Sequence, residues 1–411
     1  MKIVWLSNVP PFNINNNGKV FGGGWLQEQY AFLTNEINNL QILSFFPSNN
    51  FSHCCIKDKS FVTFKPVNHN NILIKKATNY FKSKLIEFKP HLIHIHGTEL
   101  PHCYAMSKAA KDLNIPYVVS LQGIVSEIYK HVLTGLDPED MYKKSLRDIF
   151  FGSSTIGLRN LYKRLSILEH FTVDNCEIVI GRTDWDKAWV IFNFKNKNYC
   201  ICNEPLRKEF LNARKWDIKY CKRNQIFLSQ SSTSIKGLHI LLHAIKLLIP
   251  FFPDIKLIIA GKNYKVNNIR NLFLRTAYEK TIISLIKRLN LENNINFIGP
   301  QNPNQMIDFL LESNVFVQPS VIENSPNSLM EAMFLNTPSV AANVGGIASL
   351  YIKYNNISLY QSDSSLMLAN ELKIMLDKEN FEKSNFLHNN SEAGSTLLKV
   401  YNSIISKNKH A

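Results

Sequence analysis

Short runs of β-branched and apolar residues alternate with longer amphipathic stretches from one end of the chain to the other. That alternation restricts it to α/β layering built on parallel sheets. In the first half the expected strands are 2–6, 41–45, 92–96, 117–121 and 178–180. In the second half the alternation tightens: strands at 226–228, 256–259, 295–298, 315–317 and 339–341 are separated by helices at 237–248, around 278–289, at 303–311 and at 326–335. This is the pattern of a doubly wound sheet, whose ligands lie beyond the carboxyl ends of its strands.

A chain of 411 residues exceeds what one core usually organises, so two domains are expected. Residues 203–224 are irregular and rich in charge, with Pro205 near their start, and make the expected linker. The division is therefore 1–203, 204–385 and a final segment, 386–411. That segment carries a helical pattern (Ala393, Leu397, Leu398, Val400, Ile404, Ile405) long enough to pack back across the domain junction. The two sheets are expected to face each other across a cleft that holds the active site.

With 45% hydrophobic and 19% charged residues and no low-complexity tract, the chain is expected to fold throughout. No apolar stretch approaches the roughly 20 residues that span a bilayer. The start, MKIVWLSNVPPFN, does not read as a signal peptide, so the expected location is cytoplasmic. The seven cysteines are scattered and none has C-x-x-C spacing, which suits reduced thiols and supplies no zinc site. A net charge of +15 favours an anionic partner, although Asn, Lys and Ile crowd the whole sequence. The basic residues are diffuse and form no recognised nucleic-acid module, so nucleic acid is not the expected partner.

The most informative stretch is QPSVIENSPNSLMEAMFLNTPSVAANVGG, residues 318–346. It comes after an apolar strand, and Ser325-Pro326 reads as an N-cap and then proline at the first helical position. The amides of Asn327, Ser328 and Leu329 would then point out of the sheet edge. A helix start of this kind, with unpaired N–H groups and a positive dipole end, suits a diphosphate. Glu323 precedes that helix and Glu331 lies about a turn inside it. Carboxylates accept hydrogen bonds only, which fits hydroxyl-rich ribose and hexose. In SQSSTSIKGLHILLHA, Lys236 and Gly237 come after the first strand of the second half. There a Lys neutralises phosphate oxygens as a point charge while Gly lets the backbone approach.

On these residues the second half resembles the donor domain of retaining GT-B glycosyltransferases of the family-4 type. Glu323 and Glu331 match that family's E-x7-E motif, and Ala332, Met333, Pro338, Gly345 and Gly346 match the residues next along it. The resemblance implies a GT-B fold and transfer of a hexose or N-acetylhexosamine from a nucleotide-diphosphate sugar to a growing glycan, as in capsule, lipopolysaccharide or exopolysaccharide synthesis. It implies retention of configuration and neither metal nor other cofactor. Carried over, Glu331 binds ribose hydroxyls, Glu323 the transferred sugar and Lys236 the leaving diphosphate, while Gly261 matches the next strand-end loop. Gly22, Gly23 and Gly24 match a loop that approaches the donor phosphates. Two other classes stay open: a GT-B nucleotide-sugar epimerase or phosphorylase, and a non-catalytic nucleotide-sugar-binding partner protein.

Three departures stand out. Ser231 replaces the family's Arg, Gln122 replaces its His, and Glu323-Asn324-Ser325-Pro326 replaces E-G-F-G. Arg182, in IGRTDWD, either supplies the missing charge as a phosphate fork or pairs with Asp184 or Asp186. His94, His96 and Glu99 in HLIHIHGTEL suggest a metal only weakly, since no further ligand has suitable spacing, and His96 is the candidate for an acceptor-side role. Residues 71–89 combine Ile74, Ala77, Tyr80, Phe81, Leu85 and Phe88 at helical spacing with Lys75, Lys76, Lys82 and Lys84. That is the pattern of an interfacial helix on an anionic membrane presenting a lipid-linked acceptor, or of a core-facing helix with a solvated basic face. Residues 142–168 carry a second basic and apolar pattern.

Overall fold

The computed structural model describes residues 1–12, 24–48, 53–56, 59–151, 154–264, 275–351, 354–382 and 389–407. The chain divides into two compact units, Met1–Ser126 with Tyr162–Arg207 and His388–Ala411, and Glu127–Leu161 with Lys208–Leu387.

Among the described residues the first unit holds eight strands: β1 Lys2–Leu6, β2 Gln41–Pro47, β3 His53–Ile56, β4 Lys59–Phe64, β5 Leu92–His96, β6 Tyr117–Ser120, β7 Ile178–Gly181 and β8 Asn198–Ile201. Their order is β3-β4-β2-β1-β5-β6-β7-β8. All pairs are parallel except β3–β4. Side chains alternate across a strand, so β1 sends Val4 and Leu6 to one core and Ile3 and Trp5 to the other. The first core is covered by helices Asn71–Phe88 and Pro101–Asp112, the second by Gly24–Glu36 and Asn390–Lys407. Tyr401 anchors the last helix to this sheet: its hydroxyl accepts from Trp5 Nε1 at 3.0 Å and lies 2.6 Å from His94 Nδ1.

Among the described residues the second unit has six parallel strands: β9 Lys222–Leu228, β10 Lys256–Ala260, β11 Ile295–Gly299, β12 Ser313–Gln318, β13 Ser339–Ala342 and β14 Ile357–Tyr360. The order β11-β10-β9-β12-β13-β14 is that of a doubly wound Rossmann-type sheet, with its switch point between β9 and β12. Residues 208–220, within the expected linker, are packed into this unit. Phe210 and Trp216 are buried, and Trp216 donates from Nε1 to the Ser313 carbonyl at 2.8 Å and from its amide to that of Leu335 at 2.7 Å.

The four strands that periodicity leaves out, β3, β4, β8 and β14, lie at a sheet edge or next to one. Strands there need not be apolar on both faces, so they lack the continuous apolar run that marks a central parallel strand. One helix start is also shifted. The helix begins at Asn327 rather than 326, with Pro326 extended (φ −72°, ψ 117°) as its N-cap, so Ser325 is not the cap. In helix Asn71–Phe88 the apolar stripe is spent on the core. Ile74, Phe81 and Leu85 are buried and Ala77, Tyr80 and Phe88 pack beside them, leaving Ile72, Leu73 and Ile86 exposed.

Candidate active site

The second unit brings two of the expected residues together at its switch point. After β9 the chain makes a single 3-10 turn, Ser234–Lys236, then passes through Gly237 at φ +69° into helix Leu238–Leu248. The left-handed backbone favours glycine, and a Cβ there would lie 1.8 Å from the Pro319 carbonyl oxygen. The loops after β9 and β12 therefore touch backbone to backbone, and the Val321 amide donates to the Ile235 carbonyl at 2.9 Å. That contact sets Lys236 against Glu323, Nζ to Oε2 2.8 Å, with both side chains about four-fifths buried at 19% and 18% exposure.

Glu323 is held from further sides. Its Oε2 accepts from Ser320 Oγ at 3.3 Å, Ser320 Oγ accepts from Gln318 Nε2 at 2.7 Å, and Gln318 Oε1 accepts from Ser328 Oγ at 3.3 Å. The Glu323 carbonyl accepts from the Gly346 amide at 3.1 Å, which ties in the glycine pair. Sequence reasoning missed Gln318 and Ser320, and only their place at the end of an apolar strand could have marked them. Glu331, within helix Asn327–Leu335, is buried. Of the three amides expected to be open at that helix start, Leu329's is taken, donating to the Pro326 carbonyl at 3.0 Å.

Gly261 comes directly after β10 with φ +92°, and its amide donates to the Gly299 carbonyl at 2.9 Å. Ser231 is fully buried, its Oγ has no partner among the described residues, and its carbonyl accepts from Tyr264 Oη at 2.5 Å. A buried serine occupies the place where the resemblance calls for an arginine.

In the first unit His96 ends β5, and Gln122 and Arg182 come after β6 and β7. His96 packs on His94 with ring centroids 3.7 Å apart and planes tilted by 31°, and meets Trp5 edge-on at 4.7 Å. Neither of its ring nitrogens has a partner among the described residues, and burial pushes its pKa down to about 3. His96 is thus a neutral, buried ring packed among aromatics. No group of three His, Cys, Asp or Glu suited to a metal occurs among the described residues. Cys103, Cys176, Cys200, Cys202 and Cys221 are free thiols.

Arg182 pairs with neither Asp184 nor Asp186. Its Nη1 lies 2.7 Å from Glu204 Oε2, while Asp186 caps the backbone amide of Arg182 at 2.9 Å. Gln122 Nε2 donates to the other oxygen of Glu204 at 2.5 Å. Burial pushes the Glu99 carboxyl above its usual range, against the opposing pull of backbone donors that include the Gly123 amide at 2.5 Å. Glu169 is raised to about 7 by burial, although it accepts from Thr98 Oγ1 and the amides of Val125 and Ser126. Glu204 and Glu169 carry no local pattern that sequence could have exposed. Gly24 opens the helix Gly24–Glu36, whereas Gly22 and Gly23 lie outside the described residues.

Residues 213–393 match the family described as Glycosyl transferases group 1. An uncharacterized glycosyltransferase of Methanocaldococcus jannaschii is 26% identical over 298 residues, which is 70% of this chain and 64% of that protein. The match thus spans just under two thirds of that relative's length. Among solved structures, the sucrose-phosphate synthase of Thermosynechococcus elongatus superposes with a TM-score of 0.66 at 14% identity, covering 99% of this chain and 94% of that one. Anabaena HepE, solved with UDP and glucose, gives 0.57 at 15% identity, covering 100% and 98%. The UDP-GlcNAc 2-epimerase of Methanocaldococcus jannaschii gives 0.54 at 13% identity, covering 98% and 100%. Residues 213–393 therefore match the glycosyl transferases group 1 family, and the chain that carries them has the GT-B fold of two α/β domains.

Proposed function

We propose that this protein is a glycosyltransferase that moves a hexose or N-acetylhexosamine from a nucleotide-diphosphate sugar, uridine diphosphate sugars among them, to a growing glycan of a surface polysaccharide. The observation that carries the reading is the Lys236–Glu323 pair at the switch point of the second sheet, beside the helix start at Asn327. An ammonium has three donors, so Glu323 can hold Lys236 in place while further N–H bonds reach a diphosphate. The Lys charge and the helix start would stabilise the charge that develops on the leaving diphosphate, usually the largest catalytic contribution. Transfer would proceed with retention, the departing phosphate taking the proton of the attacking hydroxyl on the same face, with no metal required.

Glu331 is assigned to the ribose and Glu323 to the transferred sugar. Glu331→Ala is expected to weaken donor binding by about 1.5–3 kcal/mol, the worth of a charge-assisted hydrogen bond, with Glu323→Ala acting mainly on turnover. Calorimetric donor titration beside initial rates separates the two, and unchanged affinity and rate in both variants would refute the assignment. A second reading, nucleotide-sugar epimerase, has the epimerase likeness in its favour. It requires an isomerised donor, with no sugar passed to an acceptor and no net release of nucleoside diphosphate.

The acceptor is proposed to be lipid-linked and met at the cytosolic face of an anionic membrane. No helix among the described residues is long and apolar enough to cross a membrane. Docking would instead use the exposed end of helix Asn71–Phe88, where Ile72 is 66% and Leu73 40% exposed beside exposed Lys75 and Lys76. Each basic residue near an anionic surface contributes about 1 kcal/mol and is screened by salt. Co-sedimentation with anionic liposomes should therefore fall with salt, vanish with neutral lipid and weaken in Ile72→Asp. Equal recovery in the supernatant with both lipids at low salt would leave a soluble acceptor as the better reading.

A further inference from the structure

The loop after β6 in the first unit is pinned at three consecutive groups. The Gln122 carbonyl accepts from Arg182 Nη2 at 3.5 Å, the next amide, that of Gly123, donates to Glu99 Oε1 at 2.5 Å, and Gln122 Nε2 donates to Glu204 Oε1 at 2.5 Å. Glu204 is itself locked by Arg182 in a pair whose side chains are only 6% and 7% exposed. A salt-bridged carboxylate accepts and cannot donate, so the Gln122 amide has one stable orientation: nitrogen toward Glu204, oxygen away from it. Gln122 is half-buried, and Oε1 makes no hydrogen bond among the described residues. It sits beyond the carboxyl end of a parallel strand, where sheets of this kind receive ligands.

We propose that Glu204 is a positioning residue that acts through Gln122, fixing its amide so that Oε1 is offered as a hydrogen-bond acceptor to a sugar hydroxyl. The inference rests on the glycosyltransferase reading for the identity of that hydroxyl, which belongs either to the transferred sugar or to the acceptor glycan. An acceptor fixed in this way selects a hydroxyl donor at its position, whereas an amide free to flip would tolerate either polarity.

The test uses the full-length protein. With glutamine side chains labelled with nitrogen-15, the Gln122 amide signal is identified by its loss in Gln122→Met. One of its protons is expected to be shifted downfield and slow to exchange, and to lose both properties in Glu204→Gln. An unchanged Gln122 signal in Glu204→Gln overturns the proposal, whether or not the wild-type protein transfers sugar. Absence of transfer by the wild type would count against the enzymatic reading instead.

For rates, Gln122→Met keeps the Arg182–Glu204 pair and guards against a variant that merely misfolds. Both Gln122→Met and Glu204→Gln are expected to lower kcat about tenfold, with donor Kd unchanged within about twofold. The swapped double variant, Gln122→Glu with Glu204→Gln, re-forms the bond in reverse, again presents an oxygen, and should recover most of the rate. If donor hydrolysis without acceptor falls as far as transfer, the hydroxyl is the donor sugar's. If only transfer falls, it is the acceptor's. Wild-type rates of both reactions in both single variants would overturn the proposal.

Discussion

Lys236→Ala is expected to lower the rate of sugar transfer by about a hundredfold or more while leaving the protein folded. Among the described residues Lys236 is the one cation joined to Glu323, and the place where the resemblance calls for an arginine is filled by buried Ser231. The Lys236 side chain is 19% exposed and its ion-pair partner, Glu323, is 18% exposed, so water can reach the carboxylate that the substitution leaves behind. The loss should therefore fall on catalysis more than on stability. Initial rates and a thermal melt check both halves of the expectation. A rate within a few fold of wild type would move the charge-stabilising role elsewhere.

Gly237→Ala is expected to damage the same site through the backbone. A left-handed conformation costs a non-glycine residue about 1–2 kcal/mol. In addition, a Cβ at 1.8 Å from the Pro319 carbonyl would force apart the two loops that carry Lys236 and Glu323. With each kcal/mol worth about 2–4 °C in a domain of this size, Tm should fall by roughly 5 °C or more. On the proposed function donor affinity should fall with it, because Lys236 and Glu323 no longer meet. Gly299→Ala is the control: φ is +76°, but a Cβ there has no neighbour within 4 Å, so only the conformational cost applies. Equal effects of the two substitutions would show that loop contact is not what shapes the site.

The features legible in the sequence are the local ones. Gly261 stands next to a strand end and Lys236 and Glu323 lie in the loops that come after strand ends, and a strand end at a doubly wound sheet is already a functional address. A central strand such as β1, KIVWL, buried at all but its first residue, announces itself as a continuous apolar run. Glu204 was not legible because its partners Gln122 and Arg182 come from the ends of two other strands, the first 82 residues away. The pairing considered for Arg182 is absent for the same reason: Asp184 and Asp186 are near in sequence, but Asp186 is used by the backbone as a helix cap and the partner of Arg182 is Glu204. Helix Asn71–Phe88 shows a third limit. One amphipathic pattern serves a core and a membrane equally, and only the burial of Ile74, Phe81 and Leu85 assigns the stripe to the core.

The most direct test of the account is donor binding and then turnover. Wild-type protein would be melted in the presence of uridine, guanosine and adenosine diphosphate sugars, since a ligand that binds the folded state must raise Tm. Nucleoside diphosphate release would then be measured for whichever class binds. One nucleotide class should raise Tm and yield free nucleoside diphosphate, with release largely lost in Lys236→Ala. Failure of every nucleotide-diphosphate sugar to shift Tm at millimolar concentration, or conversion of the donor to an isomer without diphosphate release, would contradict it.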